Sequence, residues 1–277
     1  MTELFAAIDE LQPGMVALLG IPYDAGASFM AGQAQAPARI REGLYSDSTN
    51  LSAENGIDLG THPGWRDLGD LAIPSDGTAF AAIEDVLGQL LDRDVCAAIL
   101  GGDHSITYPI LRAYAEGYSQ LSILQLDAHA DLYDEFNGKR FTHASPFARI
   151  MEEGLVAQLV QIGIRTLTPH QRAQAEKYGV EVIEMREWES GDGIELGEYV
   201  YLSLDLDVLD PAFAPGVSHH EPGGMSTREI ISIIQGLKGT LVGADIVEYN
   251  PERDVVGITA MAAAKLAKEV VALMLAT

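Results

Sequence analysis

The chain has one cysteine and few basic residues. Cys96 stands alone among 277 residues, so no intrachain disulfide can form, and a reducing cytoplasm is the predicted location. Lys and Arg number 17 against 41 Asp and Glu, which gives a formal net charge of −24. Nucleic acids and anionic membranes both favour a basic face. We therefore predict that neither is a partner.

Neither end of the chain has the pattern of a membrane or export signal. The first ten residues include three acids and lack the basic start and apolar stretch of a signal peptide. The apolar tail 258–277 is interrupted by Lys265, Lys268 and Glu269 at helical spacing. This pattern predicts an amphipathic helix that packs on a core, because the charges are too many for a bilayer span.

Apolar strand patterns alternate with helical patterns along the chain. Strands are predicted at 16–19, 95–100, 121–126, 159–164, 180–183, 199–204 and 241–247, with a weaker one near 67–73. Helices are predicted at 36–44, 78–91, 106–116, 146–153, 169–178, 227–237 and in the tail. Such alternation predicts an α/β fold, a three-layer α/β/α sandwich around a mainly parallel sheet of about eight strands. One domain spanning 1–277 is the predicted organisation.

Acids and histidines follow four of these strands. In a parallel sheet the carboxyl ends of the strands share one edge, where ligands bind. On an extended chain every second side chain points the same way, so alternating residues after one strand are expected to converge. The residues, strand by strand, are His104; Asp127, His129 and Asp131; Asp205 and Asp207; and Glu248.

Four aspartates and two histidines form a mostly oxygen, partly imidazole ligand set. This set suits Mn²⁺ and could accept Fe²⁺, Zn²⁺, Co²⁺ or Ni²⁺. Two ions about 3.5–4 Å apart need bridging carboxylates. Asp127 and Asp205 are the candidates because each opens its motif. With a bridging hydroxide the centre carries one negative charge, which favours a cationic substrate. The pattern predicts a binuclear metallohydrolase.

The same motifs resemble the ureohydrolase family, the arginases, agmatinases and relatives that hydrolyse guanidino compounds to urea and an amine. Three blocks and a late glutamate segment carry the resemblance. They are Leu100–Pro109 (LGGDHSITYP), Ile123–Asp131 (ILQLDAHAD), Ser203–Asp207 (SLDLD) with Pro211, Pro215, Gly216 and Gly224 after it, and Asp245–Pro251 (DIVEYNP).

The resemblance implies two Mn²⁺ ions, a role for each motif residue and a homotrimer or homohexamer. A hydroxide between the ions would attack the guanidinium carbon, with Glu248 orienting the guanidinium and His143 carrying a proton to the leaving amine. The implied ligands are His104, Asp127, Asp131 and Asp205 for one ion, and Asp127, His129, Asp205 and Asp207 for the other.

The loop 132–142 is where the resemblance implies that substrate choice is made. It lacks the Thr/Ser/Asn-rich stretch of arginases, and Asp134 and Glu135 favour a distal amine. The segment 211–224 (PAFAPGVSHHEPGG) resembles agmatinases more than arginases. Agmatine, a small cationic guanidino compound, is therefore the predicted substrate. Lys139 and Arg140 favour instead a distal carboxylate, as in guanidinobutyrate or guanidinopropionate. Arginine is a further alternative.

Other interpretations remain open at the level of sequence. His143 could be an exposed loop residue, and Glu248 could form a salt bridge with Arg253. A zinc-dependent acetylpolyamine deacetylase would need one metal, and the second ligand set argues against it. A dinuclear phosphatase would need a basic phosphate clamp, which we do not find. A catalytically silent family member would also retain these motifs.

Overall fold

Eight parallel strands form the middle layer of the structure, a computed structural model that describes residues 2–189 and 193–276. The strand order is β2-β1-β3-β8-β7-β4-β5-β6. Every strand pair is parallel, so the predicted sandwich is confirmed and the described sheet is parallel throughout. The strands are β1 Val16–Gly20, β2 Trp65–Asp70, β3 Cys96–Leu100, β4 Leu121–Leu126, β5 Gln158–Ile164, β6 Glu181–Glu184, β7 Tyr199–Asp205 and β8 Thr240–Val247.

Helices cover both faces of this sheet. Helices α2, α7 and α8 pack in one apolar core, while α1, α3, α4, α5 and α6 pack in the other. Alternate residues of each strand pack into one core or the other. The central strands are therefore apolar throughout and easy to predict. The helices are α1 Thr2–Asp9, α2 Ala36–Leu44, α3 Ala79–Leu91, α4 Thr107–Gly117, α5 Pro146–Glu153, α6 Pro169–Tyr178, α7 Thr227–Gly236 and α8 Ile258–Met274.

The sequence-based predictions differ from the structure mainly at the edges. Strand β2 begins at Trp65, which pairs with Val16, and not at residue 67, because this edge strand is only half buried and its pattern is weak. Helix α1 was not predicted, although Leu4 and Ile8 lie four residues apart and are buried. The tail forms the predicted helix over Ile258–Met274, and Thr277 lies outside the described residues. No helix in the described ranges combines the length and apolarity that a membrane crossing needs.

The strand order brings the four motif-bearing strands together. Strands β3, β8, β7 and β4 are consecutive neighbours in the middle of the sheet, so their carboxyl ends form one continuous edge. The loops after β1 and β3 meet above this edge. A Cβ on Gly102 would lie 1.8 Å from the carbonyl oxygen of Tyr23, so only glycine allows this approach. The contact sets the start of the turn that carries His104.

Candidate metal centre

Six side chains from three strand ends meet at this edge, and together they are called the ligand cluster here. Within each of two groups, one candidate ligand atom per residue lies within 4.8 Å of the others, and Asp127 belongs to both groups. Asp205 lies in one group only, so its predicted bridging role stays a prediction. The groups are His104, Asp127, Asp131 and Asp205, and Asp127, His129 and Asp207.

Asp127, His129 and Asp131 do not converge by alternation along an extended strand, as the sequence analysis predicted. Strand β4 ends at Leu126, and the residues after it form a loop in which His129 N donates to Asp127 Oδ1 at 2.6 Å. Asp131 has a φ of 48°, in the left-handed region. A turn and one strained residue, rather than strand alternation, bring these side chains together.

The ring of His104 is oriented by a contact of Nε2, the nitrogen that faces away from the carboxylates. Ser203 Oγ donates to Asp245 Oδ1 at 2.8 Å, so it accepts from His104 Nε2, 2.9 Å away. Nδ1 therefore keeps its lone pair facing the cluster and has no hydrogen-bond partner of its own. Its distances to the carboxylate oxygens of Asp127, Asp131 and Asp205 are 3.2, 3.2 and 3.1 Å.

This arrangement requires a positive charge. A buried lone pair facing three carboxylates is unstable unless a cation lies between them. Burial lowers the pKa of His104, but the carboxylates of Asp127, Asp131 and Asp205 outweigh it and raise the pKa well above its usual value. A proton or a metal ion satisfies the same geometry, and the mixed carboxylate and imidazole donors fit a divalent transition metal.

The second group shares the buried carboxylate of Asp127. His129 Nδ1 lies 3.0 Å from Asp207 Oδ2 and 3.6 Å from Asp127 Oδ1. Gln125 Nε2 donates to Asp127 Oδ2 at 2.7 Å and is itself held by Gln161. Asp127 is therefore fixed from both sides, as a ligand common to two ions needs to be.

Burial changes the pKa of the acids in the cluster. It raises the pKa of Asp131 to about 6, with a further contribution from the charge of Asp127. It also raises the pKa of Asp205 well above normal, together with the charges of Asp207 and Asp127. Burial would raise the pKa of Asp127 as well, but its interactions with the neighbouring His104 and His129 outweigh burial and the pKa is lowered. Crowded acids of this kind are stabilised by bound cations.

Glu248 and His143 lie on the wall of a cavity of about 240 Å³ above the cluster. Glu248 accepts from His104 N at 2.8 Å and from Gln33 Nε2 at 3.1 Å, and its φ is 65°. It therefore faces the site and does not pair with Arg253. His143 Nδ1 lies 3.7 Å from Glu248 Oε1, and its Nε2 is 2.7 Å from Ser28 Oγ. His143 is thus buried and not an exposed loop residue.

The sequence analysis singled out none of the residues that form the mouth of the cavity, although two of them fall in the loop 132–142 and the segment 211–224. Five of these, none fully buried, are called the rim here: Ser28, Tyr133, Thr166, Thr168 and Glu221. His219 also lines the cavity and stacks on His143 with ring centroids 5.2 Å apart. No local motif marks the rim, because its members come from loops distant in sequence.

The charged residues used above to predict the substrate lie outside the cavity lining. Asp134 Oδ1 accepts from Arg149 at 2.8 Å and from Arg140 at 3.2 Å. Arg140 also binds Glu152. Neither Asp134 nor Arg140, nor Glu135 or Lys139, is among the residues that line the cavity. The charge argument for agmatine therefore has no support in the geometry.

Comparisons with known proteins agree with this geometry. The model of the Arginase family matches residues 15–273. A mitochondrial arginase of Medicago truncatula is 46% identical over 93% of this chain and 81% of its own length. A guanidinopropionase of Pseudomonas aeruginosa is 37% identical over 94% of this chain and 86% of its own. The solved structure of the arginase from Medicago truncatula gives a TM-score of 0.89 at 45% identity, covering 98% of this chain and 91% of that one.

Proposed function

The chain belongs to the arginase family, and on this premise we propose that it hydrolyses L-arginine to urea and L-ornithine with two bound Mn²⁺ ions. The observation that carries the proposal is the ligand cluster at the bottom of a cavity whose wall holds Glu248 and His143. Two ligand groups favour a binuclear hydrolase over a deacetylase with one metal.

Arginine is favoured over agmatine, the substrate predicted from the loop 132–142 and the segment 211–224. The arginase from Medicago truncatula is more similar to this chain than the guanidinopropionase is. The acids that suggested a distal amine lie outside the cavity lining, and Asp134 is paired with Arg149. Hydroxyl groups of Ser28, Tyr133, Thr166 and Thr168 lie at the mouth instead. Such neutral donors suit the carboxylate of an amino acid, which agmatine lacks.

Glu248 is positioned to hold the guanidinium group. Its carboxylate is buried, and His104 N and Gln33 fix both of its oxygens. Burial raises the pKa of Glu248 to about 7, and a guanidinium ion beside it would restore the charged form. A carboxylate with fixed orientation binds a planar guanidinium through two parallel hydrogen bonds.

Hydrolysis adds the oxygen of one water to the guanidinium carbon, breaks the bond from that carbon to the chain nitrogen and leaves a proton on the departing amine. The Mn²⁺ ions, held by His104, Asp127, His129, Asp131, Asp205 and Asp207, would supply the activation of water when bound. His143 lies beside Glu248, and Ser28 holds its other ring nitrogen, so it can deliver the proton to the amine.

A substrate panel tests the proposal. Urea release is measured with Mn²⁺-loaded protein on L-arginine, agmatine, 4-guanidinobutyrate and 3-guanidinopropionate, with metal content determined in parallel. We expect about two metal ions per chain and the highest kcat/KM on arginine. A higher kcat/KM on agmatine or on either acid would overturn the assignment of arginine. One ion per chain, or no urea from any compound, would overturn the binuclear hydrolase.

The assembly and the compartment stay predictions. The family resemblance implies a trimer or hexamer, which light scattering on the purified protein would measure. The expected cytoplasmic location was based on the single cysteine, whereas the plant relative is named as mitochondrial. Cell fractionation would decide between them.

A further inference from the structure

One carboxylate of the cavity has no role in the chemistry above. Among the described residues, five acids line the cavity. Asp131, Asp205 and Asp207 belong to the ligand cluster, and Glu248 is assigned to the guanidinium. The fifth acid is Glu221, a residue of the rim whose side chain is 37% exposed.

The backbone of Glu221 is fixed to the ligand cluster by a single guanidinium group. Arg165 Nε and Nη2 donate to the carbonyl oxygen of Glu221 at 2.9 and 2.6 Å. The same Nη2 donates to the carbonyl oxygen of Asp207 at 2.6 Å. A Cβ on Gly224 would lie 2.5 Å from the carbonyl oxygen of Val208 and 2.7 Å from Arg165 Nη2, so a glycine is needed where the chain passes this guanidinium group. The position of Glu221 relative to Asp207 is therefore well defined.

The carboxylate of Glu221 remains available to a ligand. Glu221 Oε1 lies 3.9 Å from His129 Nε2, which is too long for a hydrogen bond. Within the described part of the chain, no hydrogen bond to either carboxylate oxygen of Glu221 is found. A charged acceptor at the mouth of a substrate cavity, without a hydrogen bond among the described residues, attracts a cationic group.

We infer that Glu221 binds the α-ammonium group of an amino-acid substrate and so selects for it. This inference rests on the proposed function, because it takes arginine as the ligand. With the guanidinium on Glu248 at the wall, the other end of the substrate lies toward the rim. Glu221 is the acid there, and the hydroxyl groups of Ser28, Thr166 and Thr168 suit the α-carboxylate.

A structural role for Glu221 makes a different prediction. If Glu221 acts by orienting His129, its removal weakens metal binding and slows the enzyme on every substrate. If it binds the ammonium group, its removal affects only substrates that carry that group. The two roles are separated by comparing arginine with 5-guanidinopentanoate, which keeps the carboxylate and lacks the α-ammonium.

The experiment compares Glu221→Gln with the wild type, both loaded with Mn²⁺. For arginine we expect KM to rise about tenfold with kcat changed little, the usual scale for loss of one charge-assisted hydrogen bond at a partly exposed site. For 5-guanidinopentanoate, KM should stay the same or fall; if the compound is not turned over, its Ki as a competitive inhibitor replaces KM. Glu221→Asp, which keeps the charge, should recover part of the affinity for arginine.

Glu116→Gln is the matched control, since it removes the same charge from an exposed position on α4 away from the cavity, and it should leave both constants unchanged. Equal increases of KM for the two compounds, or a loss of bound metal in Glu221→Gln, would overturn the inference. If wild-type protein releases no urea from arginine, the proposed function fails first. The selectivity of Glu221 is then judged by the Kd of L-ornithine against that of 5-aminopentanoate, both measured by calorimetry on wild-type and Glu221→Gln protein loaded with Mn²⁺.

Discussion

The ligand cluster and the rim are built in different ways, although they lie in the same cavity. The cluster comes from three strand ends, its aspartates are almost fully buried, and backbone N–H groups fix several of its oxygens. The rim comes from four separate loops and is partly open to solvent. Under the proposed function the cluster would define the chemistry, and the rim would be free to define which molecule undergoes it.

The largest expected effect is on the cluster. Asp127→Ala removes the one residue common to both ligand groups, so both metal ions should be lost and urea release should fall at least about a thousandfold, equivalent to about 4 kcal/mol of activation barrier. Metal analysis and a urea assay measure the two losses, and circular dichroism verifies the fold. Asp47→Ala, at an exposed site on the surface, is the control. Full metal content in Asp127→Ala would contradict the shared role.

The second largest expected effect is the loss of bound metal from the cluster at low pH. The pKa of Asp131 is raised to about 6 in the metal-free protein, chiefly by burial, so below that pH a metal ion has to displace a proton from it. Above pH 6 this cost disappears. Mn²⁺ affinity should therefore fall about tenfold per pH unit below pH 6 for each proton displaced. Binding titrations at pH 7.5, 6 and 5 measure this slope, and an affinity independent of pH would contradict it.

The same division explains what could be predicted from the sequence. Strands β3, β4, β7 and β8 are continuous apolar runs, and the acids at their ends are adjacent in short motifs, so the sheet and all six candidate ligands could be located. The turn that actually gathers Asp127, His129 and Asp131 could not, because it depends on a left-handed residue rather than on strand alternation. Apolar patterns locate buried strands and say little about such loops.

There is a physical reason why the residues of the rim could not be predicted from the sequence. Glu221 is placed by Arg165 through backbone carbonyl groups, and such contacts leave no side-chain pattern in the sequence. Charge alone then suggested the wrong residues. Asp134 has the charge to bind an amine, but the buried guanidinium of Arg149 takes it, and this pairing depends on how α5 packs.

The smallest expected effect is at Arg140, which the sequence offered as a partner for a distal carboxylate. Its guanidinium lies outside the cavity lining, 3.2 Å from Asp134 Oδ1 and 2.6 Å from Glu152 Oε2. All three side chains are more than 40% exposed, so the pairs are screened by water. Arg140→Ala should therefore lower the free energy of unfolding by less than about 1 kcal/mol.

Substrate preference should be unaffected by the same change. Because Arg140 does not line the cavity, the ratio of kcat/KM on arginine to that on 4-guanidinobutyrate should stay within about twofold in Arg140→Ala, a difference of less than about 0.5 kcal/mol. Urea assays on both compounds and a urea-denaturation curve give the two numbers. A selective loss on guanidinobutyrate would place Arg140 at the rim after all. The rim would then extend from Tyr133 further along the loop 132–142, and its separation from the surface ion pairs would no longer hold.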